Sequence, residues 1–273
     1  MSEDHNHQEQ IPNPDIIDAL LICWGIVVLL FLADATLLKW TGKVGYILIE
    51  LSLLAFVWIY LGARRYRQIR LFRWRSIPQS AILVMILIAI GTAVLFDELD
   101  RLVGLVIPMP VEQLEALKDA FTADNAVDNL LIAFGVVIIG PLVEESLFRG
   151  VIQQIFERRW DITRAILLTS LIFALIHLQP WWIIQQLILA VFLGYLSWRW
   201  NSIIPAFLIH AANNAWALRH IMGLDDEVFS IYLMKGHVNP IFIIISAGLI
   251  WFAMRKAENL RDNQVRVDGA SDN

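Results

Sequence analysis

Residues 129–150 read NLLIAFGVVIIGPLVEESLFRG, and the three charges in this run, Glu144, Glu145 and Arg149, all fall within its last seven positions. About 20 apolar residues cross the hydrocarbon of a bilayer, so the run reads as a membrane span with charge inside it. Seven further stretches share its apolar character: 19–38, 44–62, 80–96, 165–178, 182–198, 203–218 and 239–254. The eight together hold 141 residues and 5 charges, whereas the other 132 residues hold 42 of the chain's 47 charged side chains. A soluble protein carries about a quarter charged residues; this chain of 273 carries 17% and is 58% apolar. The expected fold is all-α, a polytopic transmembrane helical bundle of about eight spans. With a net charge of −5, nucleic acid is excluded as a partner and the lipid bilayer is expected as one.

Cys23, the single cysteine, lies in the first apolar stretch, so there is no disulfide framework and no cysteine-rich metal site. Residues 1–15 are polar and acidic, without a basic leader or a small-residue cleavage site, so the first stretch is expected to be a retained span and not a signal peptide. This divides the chain into a polar tail (1–15), a transmembrane domain (16–256) and a second polar tail (257–273), frayed after Arg255.

Arg64, Arg65, Arg67, Arg70, Arg73 and Arg75 crowd between the second and third stretches. Placing them in the cytoplasm fixes the other loops by alternation. Fourteen basic residues then lie inside and six outside, with Arg149 in the membrane, and both termini are cytoplasmic. Trp40, Trp74, Trp160, Trp181, Trp182, Trp198, Trp200 and Trp251 fall at or near the ends of stretches, where an amphipathic ring suits the headgroup zone. The acidic outer loop 97–128 repeats Leu114, Leu117 and Phe121 at helical spacing, which reads as a lid packed on the bundle or a helix lying on the membrane.

Ionisable groups inside a membrane are costly, so each needs a role. Glu145 and Arg149 are four apart on one helical face and are expected to pair. Mutual neutralisation alone would explain a pair, but two acids against one base leave a surplus, and Glu144 points about 100° away. Of six histidines, only His177 and His210 fall within apolar stretches. Asn214 follows His210 by one turn on the same face; interhelical hydrogen bonding is the lesser alternative for it. Counted from the nearest cytoplasmic basic residue at 1.5 Å per residue, Glu144, His177, His210 and Asn214 lie roughly 17–23 Å deep. They are expected to meet at one level. Asp34 and Glu50, the other charges in apolar stretches, read as support or packing groups.

A carboxylate in an apolar site is a general base toward water. Imidazole can hold that water, and an Asn amide or imidazole N–H can stabilise an oxyanion. This set points to hydrolysis of a carbonyl compound. Glu144, His177 and His210 would also make a zinc set with water in the open position, and the residues leave both mechanisms open. The H-E-x-x-H helix, the G-x-S-x-G elbow and the G-x-G-D pattern of other hydrolases are absent.

Glu144-Glu145-x-x-x-Arg149-Gly150, Phe173-x-x-x-His177 and His210-x-x-x-Asn214 resemble the three motifs of the CPBP family of intramembrane proteases, which includes type 2 CAAX prenyl proteases, Abi proteins and bacteriocin-processing proteins. Gly194-Tyr195, then Asn201 through Pro205, resembles the lead-in to the third motif. The likeness covers about 127–218. It implies that Glu144 activates water with help from His177, that Glu145 and Arg149 order the site with Phe173 beside it, and that His210 and Asn214 stabilise the oxyanion. It implies zinc on Glu144, His177 and His210 if the reaction is metal-dependent; a metal-free, glutamate-dependent mechanism is the alternative. The expected activity is endopeptidase cleavage of a membrane-associated or lipid-anchored protein or peptide, in what the family's distribution makes a bacterial cell membrane. The competing reading is a non-proteolytic membrane scaffold or immunity factor of the same fold. A transporter is third, and the inverted repeats it would predict are not seen. The fifth stretch has only 14 residues, which puts His177 near its outer end. Either Pro180, Trp181 and Trp182 still lie within the membrane, or that end lines a polar cavity.

Overall fold

The computed structural model describes residues 13–67, 71–224 and 231–271, with side chains described outside 34–42 and 264–271. Residues 1–12 of the polar tail and the side chains of Asp34, Lys39, Trp40, Arg70 and Arg266 therefore lie outside what is described. Each of the eight apolar stretches forms a helix. The first two are α1 (Ile16–Thr41) and α2 (Gly45–Ala63). Then come α3 (Gln79–Gly104), a short α4 (Val111–Phe121) and the long α5 (Ala126–Arg159). After α5 follow α6 (Ile162–Ile176), α7 (Ile183–Trp200), α8 (Ile204–Ile221) and α9 (Pro240–Ser271). Among the described residues, six helices are long and apolar enough to cross a membrane. Of the other two, α6 is 15 residues long, and α8 carries His210, Asn213, Asn214, Arg219 and His220.

Helix starts follow capping chemistry. Asp15 Oδ1 accepts the N–H groups of Ile17 (2.9 Å) and Asp18 (3.1 Å), and Asp161 accepts that of Arg164 (3.0 Å). Asp18, buried on α1, ties that helix to the end of α2: it accepts the hydroxyls of Tyr60 (2.6 Å) and Tyr66 (2.8 Å) and pairs with Arg64 (3.2 Å). Burial, then the hydrogen bond to Asp18, pushes the Tyr66 hydroxyl up to about 12, so it remains a donor at neutral pH.

Two apolar cores organise the bundle. One packs α1, α2, α5 and α6 through Ile22, Val57, Leu61, Val151 and Ala165. The other packs α3, α7, α8 and α9 through Met85, Ile88, Leu193, Ile209 and Ala253. Helix α7 belongs to both, giving Ala190 to the first and Leu189 and Leu193 to the second.

Not all of the basic loop is a solvated loop. Residues 71–76 turn into the bundle: Phe72 is fully buried and stacks on Trp58 (5.4 Å) and Trp74 (5.0 Å). Trp74 Nε1 donates to Ser146 Oγ (2.8 Å), and Arg73, also buried, pairs with Glu157. A buried ion partner on α5 accounts for an arginine that charge counting assigns to the surface. At the opposite end, α3 continues to Gly104, taking in the acids assigned to the outer loop. There Asp97 accepts the Tyr232 hydroxyl (2.7 Å), and Glu98 accepts the Val238 N–H (2.7 Å). These bonds clamp a two-stranded antiparallel hairpin, Leu233–Met234 against His237–Val238. The Leu114/Leu117/Phe121 spacing forms α4, which buries none of its residues. Its end is held by Lys43 Nζ, which donates to the carbonyls of Asp119 (2.6 Å) and Ala120 (2.9 Å), and by Phe121 set edge-on to Tyr46. The polar stretch after Arg255 does not fray at once. It continues α9, where Arg199 pairs with Glu258 and Asp262.

Candidate active site

The site lies on α5, which is not a uniform helix. Two π-helical segments, Gly135–Ile139 and Ser146–Ile152, flank the α-helical turn Gly140–Glu145 that carries both acids. The first has a local cause. In π geometry the N–H of residue i bonds the carbonyl of i−5, as Gly140 does to Gly135. The next donor would be Pro141, which has no N–H, and the carbonyl it leaves open is that of Val136. Asn214 Nδ2 on α8 donates to that carbonyl at 3.0 Å.

Glu145 and Arg149 are both fully buried and pair at 3.0 Å, as the i, i+4 spacing predicts. The same Glu145 oxygen accepts from His210 Nδ1 at 2.9 Å. Arg149 also donates to the carbonyl of Ala190 on α7 (3.3 Å) and lies 4.4 Å above the Phe173 ring. Phe173 touches both histidines, with ring centroids 4.7 Å from His177 and 5.9 Å from His210, and Phe148 packs edge-on against it. Glu144, on the adjacent face, places Oε2 3.7 Å from His210 Nε2; this oxygen is buried and without a hydrogen-bond partner among the described residues.

Second contacts set the imidazole orientations. His177 caps α6, and its Nδ1 lies 2.7 Å from the Phe173 carbonyl. A carbonyl only accepts, so Nδ1 carries the hydrogen and a neutral ring presents the Nε2 lone pair. His210 is fixed in the same way by Glu145, leaving Nε2 toward Glu144.

Glu144, Glu145, Arg149, Phe173, His177 and His210 thus form one connected cluster from α5, α6 and α8. Asn214 joins it through Val136, not through a side chain of the set. The fifth stretch ends at Ile176: Leu178 takes a left-handed φ of 53°, and Pro180–Trp182 form a 3₁₀ turn. His177 therefore stands where regular helix stops.

Sequence reading missed Tyr46. Its hydroxyl comes within 2.5 Å of where a Cβ on Gly140 would lie, so a side chain there would displace it. Tyr46 and Glu50, one turn apart on α2, both interact electrostatically with Glu144. Glu50, read as a support or packing group, is buried on α2 and shares this interaction with Glu144. The available signal was the i, i+4 spacing of Tyr46 and Glu50.

As a metal set, Glu144, His177 and His210 fall short of closure. Among the described residues, no three His, Cys, Asp or Glu side chains converge closely enough to hold an ion. Glu144 and His210 approach each other, and His177 is not a third member at ligand distance.

Residues 126–216 match the family model Rce1-like, type II CAAX prenyl endopeptidase Rce1-like. This is consistent with the CAAX protease family that the three motifs resemble. Neither the curated proteins nor the solved structures compared with the chain gave a match. The Rce1-like segment covers about a third of the chain and contains all eight motif residues from Glu144 to Asn214. Tyr46, Glu50 and the inward-turned 71–76 lie outside it.

Proposed function

We propose that the protein is an intramembrane endopeptidase that hydrolyses a peptide bond in a membrane-associated or lipid-anchored protein by water attack. The observation that carries this reading is the convergence of Glu144, His210 and the buried Glu145–Arg149 pair, within a segment matching CAAX-type endopeptidases. In this reading the attacking water is held by the unpartnered Glu144 Oε2, with help from the His177 Nε2 lone pair. Glu144 takes a proton as the oxygen attacks the carbonyl carbon. The oxyanion accepts from the Asn214 N–H not used on Val136 and, when both ring nitrogens carry hydrogen, from His210 Nε2–H, whose Nδ1–H is held by Glu145. Glu144 then passes its proton to the nitrogen as the C–N bond breaks. Arg149 and Glu145 hold His210 in register without touching substrate.

No step is routed through a metal, because the donor set does not close on one. Cleavage is expected to survive exhaustive chelation; loss with chelator and restoration by zinc would instead make His177 a third ligand. The topology that accompanies this reading has eight crossings of a bacterial cell membrane, with both termini cytoplasmic.

The test compares peptide N-termini in membranes expressing the wild type or Glu144→Ala at matched levels. New N-termini found only with the wild type support the proposal and identify the substrate. An identical set in the native host, with both proteins inserted, would transfer the weight to a non-proteolytic scaffold.

A further inference from the structure

A protein segment cut inside a membrane must first lose its helix, because a helical backbone shields the scissile carbonyl. Unwinding frees N–H and C=O groups that lipid cannot satisfy, each at a cost of a lost hydrogen bond in an apolar medium. An enzyme of this kind therefore needs polar groups beside its nucleophile that are not already engaged.

Among the described residues, four buried side-chain nitrogen or oxygen atoms without a hydrogen-bond partner fall together in residues 179–186: Gln179 Oε1, Trp181 Nε1, Gln185 Oε1 and Gln186 Oε1. This concentration starts two residues after His177. Gln185 is already committed elsewhere, since its amide donates to Asp100 Oδ1 on α3 at 2.5 Å and anchors the segment. The other three are not. The backbone around them is irregular: Leu178 is left-handed and almost fully exposed, Gln179 is extended (φ −118°, ψ 93°), and Pro180–Trp182 form the 3₁₀ turn. Non-helical backbone at membrane depth is tolerated where it lines a cavity.

Helix register gives the height of Gln186. Arg149 donates to the carbonyl of Ala190, and Gln153 to that of Gly194. Helices α5 and α7 therefore run parallel, with an offset of 41 residues at both contacts. One turn earlier on each, the same offset sets Gln186 level with Glu145, beside Glu144. The chemistry is complementary to an extended chain: Trp181 offers a donor, and each glutamine amide offers an acceptor and a donor.

We infer that Gln179, Trp181 and Gln186 form a rim that binds the unwound, extended backbone of the substrate across Glu144 and His177. This rests on the endopeptidase reading and adds the residues that hold the peptide. They recognise main chain, so the rim tolerates varied side chains at the positions it grips.

The test uses the full chain carrying Glu144→Ala in proteoliposomes, with a farnesylated, fluorescent CAAX peptide as the probe. In a set of probes, each amide other than the scissile one is replaced in turn by an ester, deleting a single N–H. At least one ester is expected to weaken binding roughly three- to tenfold, the worth of one hydrogen bond. That same ester should have no further effect once Gln179→Leu or Gln186→Leu is added. Trp181→Phe should weaken every probe alike. No binding, or binding indifferent to every ester, overturns the inference. An ester penalty that persists in full in both leucine variants overturns it too. The ester series in the Glu144→Ala protein needs no change at the rim, so misfolded variants cannot decide the result. Cleavage of the amide probe by the otherwise wild-type chain is scored separately, so the endopeptidase reading stands or falls on its own.

Discussion

Gly150 closes the first motif, and the reason it is glycine lies outside the motif. A Cβ there would meet the Phe72 carbonyl oxygen at 2.8 Å and its backbone carbons at 3.0 Å, where no flexible side chain is available to move aside. Gly150→Ala should therefore push residues 71–76 off α5 and destabilise the protein by about 1–3 kcal/mol. Gly248→Ala, inside α9 and meeting nothing within 4 Å, should not lower the detergent thermal midpoint and should raise it slightly. Arg149→Ala leaves Glu145 buried without its partner and is expected to cost roughly 3–5 kcal/mol together with activity. An unaltered midpoint would contradict the burial seen here. Arg149→Lys keeps the charge but not the fork that reaches both Glu145 and Ala190, so it should rescue only part of the loss.

Within the elements, the α5–α8 contact makes a coupled prediction. Asn214→Ala exposes the Val136 carbonyl to an apolar interior and should cost about 1–3 kcal/mol. Pro141→Ala restores the missing N–H, so the same Asn214 change should cost clearly less in that background; equal costs in a double-mutant cycle would refute the link. The eight helices were legible because lipid demands long apolar runs, and Glu145–Arg149 because the helical period puts i and i+4 on one face. The first π segment was not legible, since the carbonyl it opens at Val136 is satisfied by Asn214, 78 residues away in sequence. Nor was the burial of Arg73: Glu157, its partner, is distant in sequence, and charge counting treats every arginine in a loop alike. The histidines and Glu144 stood out as costly groups in apolar stretches, whereas Tyr46 is an ordinary residue for a span and gave no such alarm.

Across the whole molecule, α7 is the wall shared by both cores, so the two halves should not unfold separately. Leu61→Ala in one core and Leu193→Ala in the other, both fully buried, should each cost on the order of 2 kcal/mol. That is the low end of the soluble range, since lipid and not water is the alternative environment. Both should shift a single transition in mixed-micelle denaturation; two resolved transitions would show that α7 does not couple them.

The shortness of α6 also bears on the lipid around it. Fifteen residues rise about 22 Å, roughly 8 Å less than the hydrocarbon thickness of an ordinary bilayer. Lipids beside this helix must thin or tilt to meet its end, drawing headgroups and their hydration down toward His177. In the endopeptidase reading proposed above, one of the two reactants is water, and a thinner bilayer over α6 would shorten its path to His177.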